Sequence, residues 1–307
     1  MRIVVIGQAA FGAKTLEALM DRGENVAAAY VPRGRPDAKP DPLAEAAQKR
    51  GVPVHQPKSY RDEQVFIEYL GLKPDLTILA FVTDIIPQRY LTAPAKGAIC
   101  YHPSLLPRHR GASGINWALI MGDTRTGLTI FWPDKGIDTG PILLQKEIGI
   151  TSEDTTGSLY FNHLFPMGVE AILESVSLIK EGRAPRIIQD ESKATYEPPC
   201  DDRVARVDWG KDGKEIYDLV RGCDPQPGAY SFHNSEKVRF YGAGLVAGPS
   251  GAGARSGTVA AVDGAGLHVF VPGGTLVINK VRPASAGKMA ASEWAARTQV
   301  APGDRFE

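Results

Sequence analysis

The first hydrophobic run, Ile3-Val4-Val5-Ile6, is unbroken and β-branched, which predicts a strand over 2–6 buried on both faces. Gly7 closes it. Leu16, Leu19 and Met20 then follow at helical spacing and Gly23 is a stop, so 11–22 reads as a helix. The alternation continues with strands over 26–31, 52–54, 76–81 and 97–102 and helices over 43–49, 65–71 and 114–121. No hairpin dipeptide joins these strands, which predicts an α/β fold with a parallel, doubly wound sheet. Strands over 128–132 and 142–150 read as an antiparallel addition. A helix over 155–181 carries Pro166, which predicts a kink or a split.

The pattern changes near residue 190. Residues 190–206 are polar and include Pro198 and Pro199, so they read as a linker. A short helix over 214–221 is followed by strand-type segments at 229–233, 237–241, 256–262, 266–271 and 274–281, separated by Gly-rich turns. Short strands with such turns predict a small β-barrel. The expected division is a first domain over 1–189, a linker over 190–206 and a second, smaller domain over 207–307. Residues 247–255 form a low-complexity Gly/Ala loop.

Composition narrows the partners. Of 307 residues, 43% are hydrophobic, enough for a sizeable core, and the 35 Lys and Arg balance the 35 Asp and Glu. No global field draws nucleic acid or an anionic membrane. The start, MRIVVIG, is too short for a signal peptide's apolar region, and no run reaches the length of a membrane span. The three cysteines, Cys100, Cys200 and Cys223, form no CxxC pair, which fits a reducing, cytoplasmic setting. Cysteines and histidines show no zinc-ligand spacing, so no metal is expected.

Chemistry concentrates in three places. The segment 7–12, GQAAFG, lacks the second glycine of a dinucleotide fingerprint and reads as a tight strand–helix turn. The segment 101–112, YHPSLLPRHRGA, leaves a strand's carboxyl end, where open α/β sheets build ligand sites. Cys100 and His102 share a strand face by their i, i+2 spacing. His109 reads as structural. Arg108 and Arg110 either clamp an anion or pair with carboxylates. The segment 134–140, DKGIDTG, sits between two strands, with Asp134 as a turn cap and Asp138 between glycines that let backbone approach a flat ligand. The segment 81–87 leaves another carboxyl end, and its apolar residues either join the core or line a slot.

Together, HPSLLPRHRGA at 102–112, DKGIDTGPIL at 134–143, and RVDW at 206–209 with IYDLVRGCDPQPGAY at 216–230 resemble the folate-dependent formyltransferase family over nearly the whole chain. YHPSLLPRHRGAS with INW at 115–117 is similar to the hydrolase domains of 10-formyltetrahydrofolate dehydrogenases, and more distantly to methionyl-tRNA formyltransferases. The resemblance implies a Rossmann-like catalytic domain that binds 10-formyltetrahydrofolate, followed by an OB-like barrel. It carries the family's catalytic histidine onto His102 and its essential aspartate onto Asp138. Thr83, Asp84, Ile85 and Ile86, with the backbone of Lys135, Gly136 and Ile137, would form the pterin slot. Ser104, Leu105, Leu106 and Pro107 would shape its floor. Formyltransferases usually show Asn-x-His; here Cys100 stands at the first position, as dehydrogenase-type domains also lack that Asn.

The implied activity is removal of the formyl group from 10-formyltetrahydrofolate by hydrolysis or transfer to a small amine. His102 would donate to the developing oxyanion and Asp138 would deprotonate the attacking water or amine. Cys100 is a weaker donor than a carboxamide, or else a thiolate activated by His102. Transfer to methionyl-tRNA is the alternative. The loop 31–42 is short with its cations offset, and residues from Val204 onward hold 12 Lys and Arg against 10 Asp and Glu, which gives little to hold phosphates. A folate-binding protein with impaired chemistry is the reading from another class.

Overall fold

A computed structural model describes residues 1–34, 37–248 and 255–307. Arg35 of the loop after the second strand, and most of the Gly/Ala loop (249–254), lie outside the described residues. The chain forms two compact units, each assembled from separated segments.

The first unit comprises Met1–Ala112, Gly127–Ile148 and Asn162–Tyr196. Its sheet contains β1 (Arg2–Gly7), β2 (Asn25–Tyr30), β3 (Val54–His55), β4 (Leu76–Ala80), β5 (Ala98–His102), β6 (Arg125–Phe131) and β7 (Ile142–Gly149), in the order β3-β2-β1-β4-β5-β6-β7. The strands β1 to β5 pair in parallel, and β6 runs antiparallel to β5. Ile3, Val4, Val5 and Ile6 are almost completely buried, as an unbroken apolar run requires in a sheet covered on both faces.

The turn after β1 has a packing explanation. A Cβ on Gly7 would lie 2.1 Å from the Ala80 carbonyl oxygen, so only glycine lets β1 meet β4 there. The helix Ala9–Asp21 has no cap from Gln8; instead the Asp41 carboxylate accepts the Ala9 N–H at 2.9 and 3.0 Å while also capping the helix Pro42–Lys49. The expected helix over 155–181 is split: a π-helical turn, Leu159–Leu164, precedes the helix Phe165–Lys180. Pro166 sits in the first turn of the latter, where its missing N–H costs nothing.

The second unit comprises Ser113–Thr126, Gly149–Phe161 and Glu197–Glu307. Its sheet is antiparallel in the order β10-β11-β12-β9-β8, built from β8 (Tyr230–His233), β9 (Glu236–Ala247), β10 (Val259–Asp263), β11 (Gly266–Val271) and β12 (Gly274–Pro283), with β13 (Met289–Ala290) on β12. Trp209, Val238, Phe240, Leu267, Leu276, Ile278, Trp294 and Phe306 fill its core. Two helices escape the sequence pattern. Gln88–Thr92 is only five residues long, and Ala291–Thr298 buries Trp294 with two alanines, too few apolar residues to show a helical period. Strand β9 runs six residues beyond its expected end at Tyr241, because Gly242 and Gly244 weaken the strand pattern while β12 pairs with Ala243 to Ala247.

Candidate active site

Strand β5 delivers His102 to the carboxyl end of the parallel sheet, 6% exposed. The Nε2 atom of His102 lies 2.8 Å from the His109 carbonyl oxygen. A carbonyl only accepts, so this bond places a proton on Nε2. The other nitrogen, Nδ1, faces Asp138, with Oδ2 at 3.6 Å. Asp138 Oδ2 also accepts the Gly111 N–H at 2.8 Å. The imidazole and the carboxylate are therefore side by side, joined through the loop 109–111.

The loop 134–140 reaches this place by a tight path. Asp134 accepts from Gly136 N–H at 2.9 Å and from the Thr139 hydroxyl at 2.6 Å, the turn-capping role read for it. A Cβ on Gly140 would lie 1.8 Å from the Trp132 carbonyl oxygen, so glycine is obligatory there. Asp138 itself adopts a left-handed backbone, φ +57°.

Cys100 is half-buried on β5, and its Sγ contacts the Tyr101 carbonyl at 3.6 Å. Burial pushes its thiol well above the ordinary value, and the Asp138 carboxylate adds to the shift. Both causes favour the protonated thiol, which weighs against the thiolate reading.

The slot residues divide. Thr83, Asp84, Lys135 and Gly136 are exposed, and Ile85 and Ile137 present 86% and 61% of their surface. Ile86 instead joins the core cluster around Tyr60 and Tyr90. Ser104 and Leu106 also point inward: the Ser104 hydroxyl donates to the Arg108 carbonyl at 2.7 Å, and Leu106 N–H donates to the Thr129 hydroxyl at 3.1 Å. Their side chains shape the loop, leaving half-buried Leu105 and Pro107 nearer the surface.

Arg110 resolves one open alternative by pairing with a carboxylate. Almost fully buried, it meets Glu191 at 2.6 and 2.9 Å and donates to Gln189 Oε1 at 2.8 and 3.2 Å. Gln189 Nε2 donates in turn to the Asp138 and Gly140 carbonyls at 2.8 and 2.7 Å. His109 N–H donates to the Thr195 hydroxyl at 2.8 Å, and the Tyr196 hydroxyl donates to the Ile137 carbonyl at 3.0 Å. Sequence reasoning missed Gln189, Thr195 and Tyr196, the last two inside the expected linker. Its polar composition reads as solvated chain, and no local signal shows that the partners are loops 50 to 90 residues earlier.

Among the described residues, no group of three or more His, Cys, Asp or Glu is arranged to hold a metal ion, and no helix is long and apolar enough to cross a membrane.

Comparison with known proteins then defines the class. The formyl transferase family model matches residues 1–174, and the model for the formyl transferase C-terminal domain matches residues 201–299. The chain belongs to the formyltransferase family. The human mitochondrial 10-formyltetrahydrofolate dehydrogenase is 41% identical over 251 residues, which cover 80% of this chain and 27% of that protein. The chain thus spans about a quarter of such relatives. The methionyl-tRNA formyltransferase of Geotalea uraniireducens (strain Rf4) is 35% identical over 308 residues, covering 99% of this chain and 97% of the relative. The crystal structure of HypX from Aquifex aeolicus in complex with tetrahydrofolic acid shares the fold, with a TM-score of 0.69, 21% identity, and coverage of 98% of this chain and 48% of that one.

Proposed function

We propose that this protein removes the formyl group from 10-formyltetrahydrofolate, with water or a small amine as acceptor. The observation that carries the reading is the pairing of His102 Nδ1 with Asp138 Oδ2 at 3.6 Å at the end of β5. Exposed Ile85 and Ile137, on loops after β4 and β6, offer apolar surface suited to a flat pteridine. Tetrahydrofolate and formate are the products of hydrolysis.

The roles follow from the hydrogen bonds. The Asp138 carboxylate accepts a proton from water as the water oxygen attacks the formyl carbon. The carbonyl electrons move to oxygen, and that oxyanion needs a fixed donor. With Nε2–H committed to His109, only Nδ1 is available, and it donates when the ring is an imidazolium. On collapse the carbon–nitrogen bond breaks and the arylamine nitrogen takes the proton from Asp138. Formic acid leaves and ionises.

Cys100 shifts the balance between acceptors. A thiol donates weakly where formyltransferases with Asn-x-His place a carboxamide, and losing one oxyanion donor costs about 2.7–4 kcal/mol. Slow hydrolysis tolerates this better than efficient amine formylation. The test is an absorbance assay of 10-formyltetrahydrofolate alone, then with amines. Tight folate binding without turnover would leave a binding protein instead.

One observation favours methionyl-tRNA as a second reading. The near-neutral charge count of the C-terminal portion hides a segregation. Pairing across β8, β9 and β12 sets Tyr230 opposite Arg239, Arg239 opposite Arg282, Phe232 opposite Lys237 and Tyr241 opposite Lys280, so these residues share one face. Lys237 and Lys288 sit 3.6 and 3.5 Å from the Tyr230 and Tyr241 ring centroids. Asp202 offsets Lys237 and Arg239. A sheet face with cations packed over buried tyrosine rings suits a phosphate backbone. A gel shift with initiator tRNA at low salt decides: no retardation removes this reading.

A further inference from the structure

We propose that Gln189, backed by Arg110, is a positioning residue that holds Asp138 at His102; the proposal rests on the formyl-removing reading above. Asp138 is a non-glycine residue in the left-handed region, a conformation that persists only where the surroundings hold it. Its carbonyl is held by Gln189 Nε2 at 2.8 Å, and the same amide group takes the Gly140 carbonyl at 2.7 Å. Gln189 is 4% exposed, so these two carbonyls have a fixed, buried donor.

The orientation of that amide is determined by its other end. Gln189 Oε1 accepts from Arg110 Nε and Nη2. A flipped amide would set NH2 against a guanidinium and oxygen against two carbonyls, so only one orientation is compatible. Arg110 is anchored in turn by Glu191 and by the Tyr196 hydroxyl at 3.4 Å.

Three consecutive residues thus hold both reacting groups. The His109 carbonyl takes His102 Nε2, the Arg110 side chain orients Gln189 on the Asp138 carbonyl, and the Gly111 N–H takes the Asp138 carboxylate. The separation between imidazole and carboxylate is set by one tripeptide and one buried amide. A displacement of about 1 Å in such a pair can cost on the order of 10²-fold in rate.

The experiment compares Gln189→Glu, Gln189→Leu and Glu191→Gln with wild type. Gln189→Glu keeps the acceptor for Arg110 and removes both N–H donors. Its kcat for formyl removal is expected to fall on the order of 10²-fold, with KM within about twofold and the melting temperature within a few degrees. The acid limb of its pH profile moves, and amide hydrogen exchange over 136–140 quickens. Gln189→Leu gives the same kcat loss, and Glu191→Gln a smaller one of roughly fivefold. A structural role alone would lower the folded fraction and leave the pH profile in place. Wild-type kcat, pH profile and amide exchange in Gln189→Glu overturn the proposal. If wild type itself fails to turn over formyl-folate, the functional reading falls, and unchanged exchange over 136–140 in Gln189→Glu overturns the positioning role separately.

Discussion

The two sheets keep their charged groups in opposite ways. At the carboxyl end of the first, His102, Arg110 and Asp138 are largely withdrawn from water, and each is tied by named bonds to another loop. On the second, Lys280, Arg282 and Lys288 stand exposed on one sheet face. A buried polar group must find partners or cost about 1–3 kcal/mol, so the first arrangement specifies one geometry. Exposed cations cost little and act together, so the second specifies a field rather than a geometry. Single substitutions should therefore be severe at the first site and graded at the second.

The most severe is Asp138→Asn, which keeps an oxygen for the Gly111 N–H but loses the proton acceptor. Formyl removal is expected to drop about 10²–10⁴-fold in single-turnover assays with little change in stability. A near-normal rate would break the contrast, since the buried site would then behave like a graded one. Next is Cys100→Asn, which puts a carboxamide donor where the weaker thiol stands. Amine formylation should rise by up to about 10²-fold, and product analysis by mass spectrometry reads it.

A smaller and additive effect is expected on the second sheet. Each of Arg282→Ala and Lys288→Ala should weaken polyanion binding and flatten the plot of log K against log salt by roughly one unit per cation. Hydrolysis of 10-formyltetrahydrofolate by water should stay unchanged in both. All-or-none loss with a single variant would show a specific pocket in place of a field.

The smallest effect is a pH dependence. The Cys100 thiol is raised in the folded chain, so the folded state holds its proton where the unfolded chain releases it. Stability should therefore fall as pH rises above the unfolded thiol value of about 8.5, by at most about 1.4 kcal/mol per pH unit for that group. Tyr30 and Tyr60, raised by burial, add the same sign above about pH 10. Urea titrations between pH 8 and 10 should show a shallower slope for Cys100→Ala; an identical slope would place the thiol in water.

The alternation of apolar runs with helical periods was enough to read the parallel sheet, its antiparallel addition and the short strands of the second domain, read as a small barrel, because each rests on side-chain spacing within one element. The placement of His102 and Asp138 came from residue type, loop setting and family resemblance. Their actual meeting came from folding: Gly111 and Asp138 are 27 positions apart, Gln189 and Asp138 51, Arg110 and Gln189 79, and His109 and Thr195 86. No local period encodes such pairs. Composition also misled where geometry sorts charge, since a near-even count over 204–307 coexists with cations gathered on one face. What the chain's order of residues determined by itself was which segments are strands and which loops carry polar chemistry. Which nitrogen of His102 faces Asp138, what Arg110 pairs with, and why the supposed linker matters were decided only when distant backbone groups found the one arrangement that satisfies them all.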